Sequence, residues 1–240
     1  MPLPKINTPI YELELPSTGK KIKYRPFLVK EEKILLMALE SEDAKQISNG
    51  IVQILNDCII TRGVKVQNLA TFDIEYLFLN VRSKSVGETV EVNITCPDDN
   101  ETTVEMEIEI DSIKVKKNKD HKNIIKLDDT YSMKLKYPSF DQFIDSNFEV
   151  GGEISDVNQS LNMITSCIDM VYDKEESWNA SDCSKKELTD FVDQLNSKQF
   201  KQIESFFVTM PKLSHTISVK NPETGVESEV VLEGLASFFS

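Results

Sequence analysis

The spacing of apolar residues changes period several times along the chain, and each change marks a new element. Residues 10–15 (IYELEL) alternate apolar and charged positions, Pro-Ser-Thr-Gly follows, and residues 21–27 (KIKYRPF) alternate again, which predicts an N-terminal β-hairpin. From Val29 the period lengthens: Ile34, Leu35, Ala38 and Leu39 recur at helical spacing and predict a helix to about Ser41. A second helix over roughly 42–61 carries Ile47, Ile51, Ile54, Leu55, Cys58 and Ile59 on one stripe and stops at Arg62-Gly63. Thr71 has the chemistry of an N-cap for a third helix, with Ile74, Leu77, Phe78 and Val81 on its apolar side.

Period two returns in the middle of the chain. VEVNITCP (90–97) and TTVEMEIEI (102–110) flank Asp98-Asp99-Asn100, good turn chemistry for a hairpin whose second strand sets Glu105, Glu107 and Glu109 on one face. An unpaired carboxylate is costly to bury, so this face is expected to be solvated unless a basic partner covers it. Residues 114–123 (KVKKNKDHKN) form the single basic run and read as a solvated loop. Strands over 124–127 and 131–137 bracket Asp128-Asp129-Thr130 as a further hairpin.

The pattern then turns helical again. Ser139 can cap a short helix running to about Ser146, Gly151-Gly152 marks a hinge or loop, and Val157, Leu161, Ile164, Ile168 and Val171 predict a helix over 156–171. A loop holding the single tryptophan follows. Ser184 with Glu187 matches a capping box for a helix with Leu188, Phe191, Val192 and Leu195 inside, and another runs from about Ser197 to Val208. Strands over 215–220 and 226–232 flank Asn221-Pro222-Glu223-Thr224-Gly225, echoing the 90–110 hairpin as a second tongue of similar shape.

Together these elements predict an α+β protein with a mainly helical body and peripheral antiparallel β-hairpins. The segments divide as a hairpin (1–28), a helical stretch (29–87), a β-hairpin insertion (88–138), a second helical stretch (139–212) and a C-terminal hairpin with an apolar tail (213–240), all in one compact unit.

Composition narrows the function. Forty acidic against 27 basic residues give a formal net charge of −13, the wrong sign for phosphate backbones or anionic membrane surfaces. No nucleic acid and no membrane are therefore expected as partners, and an acidic face awaiting a basic protein surface is the sharper reading. The opening MPLPKINTPIYELEL lacks the apolar stretch of a signal peptide, so the product is expected to stay where it is made. Cys58, Cys96, Cys167 and Cys183 lack close pairs, which suits reduced thiols.

Chemistry for catalysis is scarce. His121 and His215 sit in no ligand spacing, no phosphate loop or nucleophile elbow occurs, and Asp98-Asp99-Asn100 lacks the spaced ligands of a calcium loop. Cys96-Pro97 resembles half of a zinc knuckle, but its second cysteine is absent and Asn221-Pro222 stands where the other hairpin would need one. No catalytic residue, metal ligand or cofactor is assigned, and the protein is expected not to be an enzyme.

The opening through RPFLVKEEKILLMALES (25–41), the segment TFDIEYLFLNVRSKSVGE, the TCPDDN hairpin and the ending EGLASFF together resemble the baseplate hub proteins of T-even-type contractile-tailed bacteriophages. The resemblance implies a late protein made in the host cytoplasm, a subunit or assembly chaperone of the tail baseplate hub, with other hub proteins as partners and oligomerisation open. Arg25, Pro26, Phe27, Glu31, Glu32, Leu235, Phe238 and Phe239 are the expected contact residues. Two other readings stay open: a carboxylate-based hydrolase of the cell-puncturing apparatus, and a nucleic-acid-binding protein using the lysines of 114–122.

Overall fold

A computed structural model describes residues 6–41, 43–140, 142 and 157–238. The chain forms two compact units, one from Met1–Lys116 with Lys212–Ser240, the other from Lys117–Pro211. The second unit is thus inserted between two strands of the first that pair where Lys116 meets Lys212.

The first unit opens with the hairpin β1 (Tyr11–Glu14) and β2 (Lys21–Tyr24). Helices α1 (Val29–Glu40), α2 (Ala44–Cys58) and α3 (Thr71–Ser83) follow. Asp43 caps α2 by accepting the Gln46 N–H at 2.9 Å. Gly50 lets α1 and α2 close on each other, since a Cβ there would lie 3.1 Å from that of Ala38. Hairpin β3 (Thr89–Thr95) and β4 (Thr103–Glu109) comes next, and β5 (Lys114–Lys116) joins a three-stranded antiparallel sheet with β10 (Lys212–Lys220) and β11 (Glu227–Glu233) in the order β11-β10-β5. Helix α3 packs on β5 and β10, and buries Phe72, Ile74, Leu77, Phe78, Leu79 and Val81.

The second unit holds the four-stranded antiparallel sheet β6 (Ile124–Lys126), β7 (Ser132–Leu135), β8 (Ile168–Tyr172) and β9 (Ser177–Asn179), with α4 (Val157–Cys167), α5 (Lys185–Val192) and α6 (Ser197–Thr209). Its core is built from Ile125, Met133, Leu135, Ile164, Ile168, Val192, Ile203 and Phe206. The Ser184–Glu187 capping box forms as its residues require, with the Ser184 N–H donating to the Glu187 carboxylate at 2.7 Å.

The expectation of a mainly helical body is overturned. Among the described residues six α-helices stand beside eleven strands in four antiparallel sheets, so the fold is α+β without helical dominance. The hairpins are not appendages: Val90, Val92, Ile94 and Ile108 of β3–β4, and Leu213, Val219 and Leu232 of β10–β11, are core residues. Three local readings change with it. Residues 168–171 leave the helix for β8, the tryptophan loop contains β9, and Lys114–Lys116 of the basic run are strand rather than loop. The helix from Ser139 to about Ser146 and the Gly151-Gly152 hinge extend into residues outside those described.

Candidate functional site

The residues singled out near the N-terminus form an internal clamp. Arg25 Nη2 lies 2.8 Å from Glu31 Oε1 and donates to the Asp57 carbonyl at 3.0 Å, while its Nη1 donates to the Pro26 carbonyl at 2.9 Å. Glu31, fully buried, also accepts the Leu28 N–H at 2.8 Å and faces Lys30 Nζ at 3.0 Å. Burial pushes this carboxyl up, but the bonds from Arg25, Leu28 and Lys30 outweigh it and hold the group down at about 2. Pro26 and Phe27 are buried, the Phe27 N–H donates to Ser85 Oγ at 2.9 Å, and Glu32 is exposed.

The apolar ending folds inward. Leu235 and Phe238 are buried, and the Leu235 N–H donates to Glu75 Oε1 at 3.0 Å. Burial pushes the Glu75 carboxyl up to about 7, which this single bond only partly offsets. Phe239 lies outside the described residues.

Sequence periodicity did not reveal that three hairpins share one loop design. Leu15-Pro16-Ser17-Thr18-Gly19, Cys96-Pro97-Asp98-Asp99-Asn100 and Asn221-Pro222-Glu223-Thr224-Gly225 each begin with a buried residue followed by proline and end at a positive φ: 70°, 56° and 76°. In each, the N–H of the fifth residue donates to the carbonyl of the first, at 2.8, 2.9 and 2.8 Å. The signal was present as proline at the second position and Gly or Asn at the fifth, the residues that preset φ and tolerate the left-handed region.

These loops are anchored by side chains. Ser17 binds Asp73 through its N–H at 3.0 Å and through its hydroxyl. Thr71, expected as the N-cap of α3, makes no side-chain cap; Ala70 occupies that place, and the first-turn carboxylate of Asp73 serves the neighbouring loop instead. The other two loops bind each other. Asn221 Nδ2, buried, donates to both Asp98 oxygens at 3.1 Å and to Asp99 Oδ2 at 2.8 Å, and Thr224 Oγ1 donates to Asp98 Oδ2 at 2.5 Å. Hydrogen bonds to Thr224 and Asn221 hold Asp98 low, and those from Thr102, the Glu101 N–H and Asn221 hold Asp99 lower still. The half-knuckle seen at Cys96-Pro97 therefore does meet its counterpart at Asn221-Pro222, and the two are joined directly by hydrogen bonds.

Clipped at their tips, the two hairpins turn acidic faces outward. On β3–β4, Glu91 pairs across the strands with Glu107, Asn93 with Glu105, and Thr89 with Glu109, all exposed. Like charges directly opposed on a sheet are unfavourable. Among the described residues none of these four glutamates enters an ion pair. On β10–β11 exposed Glu227, Glu229 and Glu233 stand opposite Lys220, Ser218 and Ser214. Glu105, Glu107 and Glu109 were legible as one face; the contribution of Glu91 needed the register.

The basic run is divided between the units. Lys116 Nζ donates to Thr216 Oγ1 at 2.9 Å in the first, whereas His121 belongs to the second, where it is half-buried against Tyr137 and Phe206. Thr209 Oγ1 donates to the Ser205 carbonyl at 2.6 Å, so it accepts from His121 Nδ1 at 3.0 Å, leaving Nε2 to accept the Tyr137 hydroxyl at 3.1 Å. Burial lowers the His121 pKa. No helix among the described residues is long and apolar enough to cross a membrane.

A family model described as T4 bacteriophage base plate protein matches residues 8–240. No curated protein and no solved structure matches the chain.

Proposed function

The chain belongs to the T4 bacteriophage base plate protein family, and from that membership we propose a finer role: a subunit or assembly factor of the baseplate hub that binds other hub proteins and catalyses no reaction. The family makes the chain a structural protein of the phage tail baseplate. The observation that carries the hub role is the acidic face of β3–β4, with Glu91, Glu105, Glu107 and Glu109 exposed and free of ion pairs among the described residues.

Two packed hairpins tied at their tips hold these carboxylates at fixed spacing, so the side chains need little further ordering on contact with a basic surface. Opposed carboxylates repel each other in the free protein and lose that repulsion when cations come between them. Exposed Glu32 at the start of α1 belongs to the same contact reading, whereas Arg25, Pro26, Phe27, Glu31, Leu235 and Phe238 support it from inside.

Co-expression of the tagged chain with the other hub proteins of its phage tests this role. The wild-type chain is expected to recover a defined complex, and Glu91→Lys/Glu107→Lys is expected to lose it while keeping the wild-type circular dichroism spectrum. Association that is indifferent to the charge reversal, or absent with every hub protein, would overturn the reading.

A further inference from the structure

Helix α1 has two apolar faces, and the fold uses one. Ala38 and Glu31 point inward, with Ile34 and Ala38 close to Gly50 of α2. On the opposite side Val29, Leu36 and Met37 are 66, 54 and 71% exposed. At 3.6 residues per turn these three share an arc of roughly 100° with Lys33 and Glu40. Lys33 and Glu40 are both exposed, and among the described residues neither enters an ion pair.

The order of charges along this stripe is self-complementary in one antiparallel register. A two-fold axis passing between Leu36 and Met37 sets Leu36 of one copy against Met37 of the other, and Lys33 of each against Glu40 of its mate. A two-fold centred on Leu36 itself would set Glu32 against Glu40, opposing like charges, so the pattern disfavours the neighbouring register. An isologous contact has this reciprocity: residue i meets j, and j meets i. We propose that α1 is a self-association surface whose occupant is the α1 of a second copy of this chain, paired antiparallel about Leu36 and Met37.

One face of a 12-residue helix offers less area than a standard stable interface, so the dimer is a weak and reversible one. Sedimentation equilibrium of the full chain, from micromolar to about 1 mM, reads it directly. The wild type is expected to dimerise with rising concentration. Lys33→Glu and Glu40→Lys each weaken the dimer by about tenfold or more, and the double swap Lys33→Glu/Glu40→Lys restores it. Leu36→Glu abolishes it. Because all three positions are exposed, each variant should keep the wild-type thermal midpoint, which distinguishes loss of contact from loss of fold. A wild-type chain that stays monomeric throughout, a folded double swap that fails to restore association, or a dimer indifferent to Leu36→Glu would each overturn the proposal.

Discussion

At the scale of single residues, two carboxylates govern the stability of the first unit in opposite directions. Glu31 is buried with a guanidinium, an ammonium and a backbone N–H for company. Removing one partner of a buried ion pair leaves an uncompensated charge, so Arg25→Ala should destabilise the protein by about 3 kcal/mol in urea unfolding at neutral pH. Because the Glu31 carboxyl titrates lower in the fold, at about 2 against an ordinary 4.5, its contribution is present above 4.5 and is lost as pH falls toward 2. Glu75 behaves the other way. Its pKa of about 7 against 4.5 means the folded state holds the proton more tightly, so its contribution is complete below 4.5 and lost as pH rises through 7. Glu75→Gln should therefore match the wild type near pH 4 and exceed it by about 1–3 kcal/mol at pH 8, measured as the difference between unfolding curves.

At the scale of elements, hairpins were the most legible part of the chain, because a period of two leaves few alternatives when turn residues flank it. The helix after Ser184 was legible for a local reason, its capping residue and Glu187 partner being in place, whereas the Asn196–Gln199 box of the next helix was seen only in the structure. The misreadings occur where local pattern is ambiguous. Ile164, Ile168 and Val171 fit a helical stripe, yet the helix stops at Cys167 and Ile168 and Val171 become inward positions of a strand paired with β7. Lys114–Lys116 could not be read as strand, because the partner, β10, lies almost a hundred residues further on. The loop-to-loop clip was equally hidden, since nothing local links Asp98 to Asn221. Its energetic weight is accessible: Asn221→Ala removes the buried donor shared by two carboxylates and should destabilise the protein by about 2 kcal/mol. Hydrogen exchange should show the added opening concentrated at the tips of β3–β4 and β10–β11, and uniform loss across the unit would contradict the clip.

At the scale of the whole molecule, an expectation of helical dominance arose from counting amphipathic helices while treating each hairpin as separate. Inward faces of the hairpins instead belong to the core, which leaves their outward faces as exposed acidic surfaces. The net charge of −13 announced an acidic protein and alternation set Glu105, Glu107 and Glu109 on one face, but only strand register showed that Glu91 joins them. We propose that this face meets other proteins of the baseplate hub. Carbodiimide cross-linking of purified phage tails and baseplate intermediates tests it most directly, since the reagent joins carboxylates only to amines already in contact. Cross-links are expected from Glu91, Glu105, Glu107 or Glu109 to lysines of a hub protein. Tails in which this chain is cross-linked elsewhere while those four glutamates stay unlinked would contradict it.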